Sequence, residues 1–518
     1  MCGIHGFSFK NYKHIKNMIL VSENRGPDAN DIYIDDFVSL GHNLLNISNL
    51  PIEETTQPYI SPKGNVLVFN GQIYKECYLD TKYLSEMLDY YGIEYLRNIN
   101  GAFSLCWYEK KTKTITIARD HYGQRPLFYN LDNGLVFSSS IYSLKSVGID
   151  LEKDRESIKR FLFNDRFWQG RDTFYKNIKK LVPGEYIKFS VEKNKIISRG
   201  SLFDFQMENQ KPNDKKIKKL IEKSIVNTVY NNNSTCVLLS GGLDSTTILN
   251  CSKNLDMDLF SLSCGYKSLY DLKKDEDYDS MLNYTEEVNY AKKTSKFYNI
   301  PFYDKTISIS ELRDSVKDSI KCSLLPFFDD NRYVVRYLTY KKAHDLGCKV
   351  IINGDGGDEI FTGYSGHDLY KNPNFPKFKY EILHDEFYEW FPKHVLGKDE
   401  MNNNFFIRIM LSIDSFCLSS DSLASNFSME SRSPFLYQEL VKNCLNISGK
   451  YKLQKKRNNF RSGTYKYLLR ELFKDELPSW VINKNIKVGW ASPWNSRNEK
   501  SNFKNALKNI SLLEDIIK

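Results

Sequence analysis

Hydrophobic patterning changes character once along this chain, near residue 200, and a chain carrying two patterns does not fold around a single core. Before that point, alternating or apolar runs at residues 31–40, 65–69, 103–108 and 114–118 carry the two-residue period of strands. Residues 110–113 turn one hairpin, and Asp132-Asn133-Gly134 turns another between residues 127–129 and 135–138. Pro183-Gly184 opens a third, pairing residues 185–190 with 195–199. A polar stretch at 206–215 then reads as a linker. Beyond it, short apolar strands (236–239, 259–264, 349–352) alternate with helical segments starting at Leu243 and covering 287–298. That alternation predicts a doubly wound parallel sheet, followed after Tyr364 by mostly helical chain. With 518 residues, the expectation is two domains, residues 1–200 and 210–518.

Composition excludes several classes. Hydrophobic residues at 41% and charged residues at 26% rule out wholesale disorder. The net charge of +9 is spread among nearly as many acids as bases. The densest basic run, 215–219, alternates with Ile217, Leu220 and Ile221 at helical spacing, which makes it a solvated helix face rather than a nucleic-acid patch. The 10 cysteines fall singly, without a Cys-x-x-Cys pair or zinc spacing, as in a reducing compartment. With no targeting peptide or membrane-length apolar run visible, the expected location is the cytoplasm.

Three places carry chemistry. Strand 236–239 runs into Ser240-Gly241-Gly242-Leu243-Asp244-Ser245, a glycine-rich turn before a helix start, where backbone N–H groups can cradle an anion. It is not the G-x-x-x-x-G-K-[ST] phosphate loop. The strand at 350–352 leads to Asn353-Gly354-Asp355-Gly356-Gly357-Asp358-Glu359, whose acids in a glycine-rich backbone make little sense as core. Cys2, once Met1 is removed, would place a thiol beside a free α-amine able to act as its general base.

The company of Cys2 identifies a resemblance. Cys2-Gly3-Ile4, Arg25-Gly26-Pro27-Asp28, Asn70-Gly71-Gln72-Ile73-Tyr74 and Ala118-Arg119-Asp120-His121-Tyr122-Gly123 resemble, in order and spacing, the class II glutamine amidotransferase half of asparagine synthetases. Ser240–Ser245 resembles the pyrophosphate loop of ATP pyrophosphatases, and 353–359 the Ser-Gly-Glu-Gly-x-Asp-Glu element of asparagine synthetases. Residues 429–436 and Lys487-Val488-Gly489-Trp490 with Pro493 resemble two later segments of the same family. The fold implied is an α+β N-terminal domain, an N-terminal-nucleophile sandwich of antiparallel sheets, plus an α/β C-terminal domain with a doubly wound parallel sheet and helical extension.

The roles implied by the resemblance are these. Cys2 is the nucleophile, and Asn70 and Gly71 form the oxyanion hole. Gln72 stands at the position that faces the glutamine ammonium, and Asp80 fits the acidic position downstream, both as glutamine-binding residues. Leu238, Cys264, Asn353 and Gly354 border the adenosine of ATP, while Ser240, Gly241, Gly242 and Ser245 hold its pyrophosphate. Asp244 and Asp358 ligate Mg²⁺. Asp355 assists formation of a β-aspartyl-AMP intermediate, and Lys487 neutralises the leaving pyrophosphate. The implied partners are glutamine, aspartate and ATP, without nucleic acid or membrane, and a homodimer is allowed. Four positions depart from the family pattern: Leu44 replaces the arginine that clamps the glutamine carboxylate, Gln72 an acid, Asp355 a glutamate and Tyr437 an aspartate.

Three other readings stand beside asparagine formation. The same machinery could amidate a different carboxylate, such as a sugar acid or a peptide side chain, as the four departures suggest. Ring closure in the manner of β-lactam synthetase is opposed by Cys2, and a degenerate binding protein by the joint presence of Cys2, Asn70, Asp244, Asp358 and Lys487.

Overall fold

The computed structural model describes residues 1–74, 79–162, 170–230, 233–266, 278–326, 330–363, 389–453, 465–484, 508 and 510–517. Its first half is a sandwich of two antiparallel sheets. One contains β1 (Gly3–Phe7), β2 (Ala29–Ile34), β3 (Ser39–Leu44), β8 (Phe128–Asn130), β9 (Val136–Ser138) and β10 (Lys179–Lys180), in the order β10-β8-β9-β1-β3-β2. The other contains β4 (Tyr59–Ile60), β5 (Val66–Ile73), β6 (Gly101–Glu109), β7 (Thr114–Arg119), β11 (Glu185–Ser190) and β12 (Lys195–Ser201), in the order β12-β11-β7-β6-β5-β4. Successive side chains of a strand point to opposite faces. Val66 and Val68 of β5 accordingly join Ile4 and Leu40 in the core between the sheets, and Leu67 and Phe69 pack outward with Leu84 and Leu88 of helix Asp80–Tyr91. These central strands read as apolar runs because both faces are covered.

The three expected hairpins are present. The run at 31–40, however, is not one strand. Asp35 Oδ1 accepts the N–H groups of Phe37 (2.8 Å) and Val38 (2.9 Å), turning the chain from β2 into β3. An aspartate that bonds the backbone two and three residues on competes with strand continuation. The polar stretch at 206–215 is likewise not a free tether. The N–H groups of Met207, Glu208 and Gln210 donate to Val395 O, Asn446 Oδ1 and Asn446 O at 2.8, 2.9 and 2.8 Å, and Asn213 caps helix Asp214–Val229.

The second half holds a parallel sheet of β13 (Thr235–Leu238), β14 (Leu259–Tyr266), β15 (Phe302–Ile307), β16 (Val350–Ile352) and β17 (Glu430–Arg432), in the order β15-β14-β13-β16-β17. Hydrophobic patterning had not singled out β15 or β17. β15 is amphipathic and half exposed, and β17 is three polar residues whose strand character comes only from pairing with β16. The chain order reverses between β13 and β16, so the crevice at their carboxyl ends is a topological switch point, where ligands settle in open α/β sheets. Both glycine-rich loops leave the sheet there. Among the described residues no helix is long and apolar enough to cross a membrane.

The halves meet across a buried charged seam. Arg119 (2.8 Å) and Lys180 pair with Asp414, all three nearly solvent-free, and Arg25 pairs with Asp421 at 2.9 Å. Arg125 donates to Ser431 O (3.1 Å) and lies 3.5 Å from Glu430, which also binds Arg432 at 2.8 Å. Asp414 follows a π-helical turn, Ile409–Ile413, which resets the phase of the helix that carries it. Replacing Asp414 by asparagine leaves two buried cations without their acid. The expected loss is about 3–5 kcal/mol, read from the urea midpoint, whereas Asp36→Asn, in an exposed pair with Lys10, should change stability by less than about 1 kcal/mol.

Candidate active site

Cys2 lies just before β1, beside the end of β3, because Gly3 pairs with Asn43. Its half-buried Sγ accepts the Leu45 N–H at 3.4 Å, and Arg25 Nε donates to its carbonyl at 3.0 Å. Gly26 lets this turn lie on β3, since a Cβ there would come 2.5 Å from the Asn43 carbonyl. Met1 precedes the thiol in this structure. Its amine donates to Met429 O (3.0 Å), and burial lowers its pKa to about 5; its side chain joins an apolar cluster with Leu238 and Cys264. Burial likewise raises the Cys2 thiol pKa.

Asn70 sits on β5 opposite Ser104, and its Nδ2 is buried without a hydrogen-bond partner among the described residues. A fully buried amide donor in a native protein is nearly always satisfied by protein, ordered water or a ligand. Gly71 has φ +154°, and a Cβ there would collide with Ala102 O. Gln72 Oε1 is also buried and unpartnered among the described residues. Asp80 closes this side, accepting the N–H groups of Ile73 (3.4 Å) and Thr81 (2.8 Å), and burial pushes its carboxyl up to about 6. Leu44 is buried and apolar.

At the switch-point crevice, Ser240 Oγ accepts the Gly242 N–H (3.3 Å) and lies 3.2 Å from Ser245 Oγ. Gly241, at φ +63°, presses against helix Tyr278–Phe297, where a Cβ would come 2.6 Å from Tyr290 Cβ. Helix Leu243–Ser252 begins after Gly242 with no side-chain cap, leaving its first N–H groups for an anion. Asn353 is committed to the neighbouring loop: its amide donates to Ser431 Oγ (3.1 Å) and accepts from Ser433 Oγ (2.8 Å) and the Asp355 N–H (3.0 Å). Asp355 pairs with Arg336 (3.5 Å) and accepts the Ser420 hydroxyl (3.4 Å).

Asp244 and Asp358, remote in sequence, meet around one buried ammonium. Lys466 Nζ pairs with Asp244 Oδ2 and, at 2.6 Å, with Asp358 Oδ1. Burial works against the lysine's charge, but the two carboxylates outweigh it and hold its pKa above the ordinary value. Glycines make the room: a Cβ on Gly357 would come 2.8 Å from Asp244 Cγ, and one on Gly363 would overlap Asp358 Oδ1 and come 2.5 Å from Lys466 Cε. Among the described residues no three His, Cys, Asp or Glu side chains cluster as a metal cage. Two carboxylates around a cation nevertheless fit Mg²⁺, which usually takes one or two carboxylates and completes its shell with water and substrate phosphates. Lys487 lies outside the described residues. Sequence reading missed Lys466, Arg336 and Ser420; isolated residues in or near helices carry no local signal.

Comparison with known proteins matches each half of the chain to a domain family. The glutamine amidotransferase domain profile matches residues 1–199, and the asparagine synthase profile matches residues 216–512. The chain belongs to the asparagine synthase family. Its paired domains are those of a glutamine-hydrolysing, ATP-using ligase. Asparagine synthetase [glutamine-hydrolyzing] 1 of Bacillus subtilis is 25% identical over 69% of this chain and 56% of its own length. Asparagine synthetase B [glutamine-hydrolyzing] of Escherichia coli is 22% identical over 95% of this chain and 83% of its own. Amidase chyE of Penicillium rubens is 23% identical over 68% of this chain and 55% of its own.

Gly363→Ala tests the packing of this asparagine synthase family crevice. The added methyl should cost about 1–3 kcal/mol by overpacking, read from the urea midpoint, and should weaken ATP binding in a calorimetric titration.

Proposed function

We propose that this chain converts L-aspartate and L-glutamine to L-asparagine and L-glutamate, with ATP cleaved to AMP and pyrophosphate, in the cytoplasm. In this reading residues 1–200 release ammonia and residues 210–518 use it. The observation that carries it is the convergence of Asp244 and Asp358 on a single buried cation at the β13–β16 crevice. Two carboxylates able to hold a divalent cation beside an uncapped helix start are suited to a metal-bound nucleotide polyphosphate.

In the first site Cys2 attacks the glutamine side-chain carbonyl and forms a thioester, expelling ammonia; water then releases glutamate. With Met1 removed, the α-amine of Cys2 is the base that takes the thiol proton. Asn70 Nδ2 and the Gly71 N–H receive the developing oxyanion, a role suited to a buried donor without a partner among the described residues. Asp80 and Gln72 hold the charged end of glutamine. In the second site Leu238, Cys264, Asn353 and Gly354 border adenosine, with Asn353 acting through the loop it ties together. Ser240, Gly241, Gly242 and Ser245 hold the pyrophosphate. Asp244 and Asp358 would hold Mg²⁺, which supplies neutralisation of phosphate charge. Asp355 stands beside the aspartate carboxylate as it becomes β-aspartyl-AMP, steadied by Arg336 and Ser420. Lys487 neutralises the departing pyrophosphate, and ammonia displaces AMP.

A second reading keeps both half-reactions and changes the acceptor carboxylate. It is favoured by Tyr437, which stands where the family has an aspartate and is buried, stacked on Tyr74 at 6.0 Å, so that this position offers no carboxylate. A panel of carboxylic acids assayed for AMP and pyrophosphate separates the two. Aspartate should give the fastest release; a faster sugar acid or peptide selects the second reading, and ADP with phosphate contradicts both. Cys2→Ala should lower glutamine-dependent product by about three orders of magnitude or more, with ammonium chloride still supporting synthesis.

The Asp80 carboxyl, raised from 3.8 to about 6 by burial, gives a pH signature. The ionised form pairs with the glutamine ammonium, so KM for glutamine should rise as pH falls through 6, roughly ten-fold one unit below. Asp80→Asn should raise KM at neutral pH and flatten the profile. Stability without ligand runs the other way: the contribution of Asp80 is full below 3.8 and lost as pH rises through about 6.

A further inference from the structure

We propose that Lys466 is a built-in counter-ion that closes the Asp244–Asp358 pair to free divalent metal and yields it only to metal arriving with a polyphosphate. The inference rests on the assignment of Asp244 and Asp358 as the cation ligands. Lys466 Nζ touches both carboxylates, and its side chain is 7% exposed. Its placement is constrained from several sides. Lys466 has φ +54° and donates its N–H to Thr362 O at 3.4 Å, and Thr362 is itself left-handed at φ +64°. Gly363, next to Thr362, leaves no side chain in the space that Lys466 Cε and Asp358 share. Non-glycine residues adopt such backbone at a cost, and it persists where surrounding structure over-determines it.

The consequence is electrostatic. Two carboxylates brought together out of water require a cation, and the chain supplies one. A divalent ion cannot bind the same oxygens while the ammonium remains, because the two cations would repel at contact distance in a poorly screened site. Metal entry therefore requires the lysine to move. A polyphosphate bound at the start of helix Leu243–Ser252 brings new anionic oxygens to which the ammonium can transfer. Free metal offers no such destination. Metal and polyphosphate binding are thus coupled through Lys466, and the carboxylates are never left together without a counter-ion.

The test is a titration with Mn²⁺ alone, and with Mn²⁺ plus inorganic pyrophosphate, followed by the electron paramagnetic resonance of free Mn²⁺. Wild type should bind Mn²⁺ alone weakly and Mn²⁺ with pyrophosphate far more tightly. Lys466→Met should bind Mn²⁺ alone roughly ten-fold or more tighter than wild type and lose much of the pyrophosphate enhancement, whereas Lys466→Arg should retain exclusion of the bare ion. Equal or weaker binding of Mn²⁺ alone by Lys466→Met overturns the proposal. Should that variant not fold without metal, thermal unfolding of wild type decides: Mn²⁺ alone should leave Tm unchanged and Mn²⁺ with pyrophosphate should raise it, and a comparable rise with Mn²⁺ alone overturns the proposal. Asp358→Asn separates the two levels of inference. If it abolishes Mn²⁺–pyrophosphate binding while Lys466→Met gains nothing, the ligand assignment stands and the counter-ion role fails. If it leaves that binding unchanged, the assignment itself fails.

Discussion

Burial of charge along the seam between the halves is the constraint on which the remaining geometry depends. Arg119 and Lys180 against Asp414, Arg25 against Asp421, and Arg125 and Arg432 against Glu430 are all nearly solvent-free. Removing ions from water costs several kcal/mol each, and their mutual attraction offsets this only where partners and hydrogen bonds are in place. Such a seam contributes little net stability compared with apolar packing, but it strongly penalises every misaligned docking. It therefore fixes where the thiol stands relative to the nucleotide crevice. Arg25 makes the link directly, holding the Cys2 carbonyl while its guanidinium binds Asp421 and Ser425 of the opposite half.

The same physics recurs in the crevice on a smaller scale. Asp244 and Asp358 stand in the first turns of the helices that follow adjacent parallel strands, and parallel pairing of β13 with β16 aligns the ends of those strands. What remains is sterics and charge. Gly357 and Gly363 remove the side chains that would hold the acids apart, and Lys466 neutralises them once they are close. In the other half Gly71 lets β5 run hard against β6, and the neighbouring Asn70 Nδ2 is buried without a hydrogen-bond partner among the described residues.

Local chemistry made much of this legible in advance. Period-two apolar runs located β5, β6 and β7, and the glycine-rich turn after a short buried strand located the helix start at Leu243. The run at 31–40 misled because Asp35 acts on the backbone through its side chain, which hydropathy does not register. β17 was invisible because Glu430-Ser431-Arg432 is polar and owes its extension to a neighbour. Among site residues, Cys2, Asn70, Asp244 and Asp358 stood out through motif context. Lys466, Arg336 and Ser420 did not, because a residue that acts on a partner across the fold leaves no spacing in the chain.

The amino-acid sequence by itself determined the presence of two folding patterns, the glycine-rich loops able to cradle anions, and a thiol at position 2, because these depend on periodicity, backbone freedom and side-chain type over a few neighbouring residues. Tertiary structure alone decided that two remote acids share one lysine, that Asp355 faces Arg336, and that Asn353 ties its own loop to Ser431 and Ser433. Those are pairings between charges and dipoles distant in the chain, and burial makes them strong only after folding has excluded the water that would otherwise screen them.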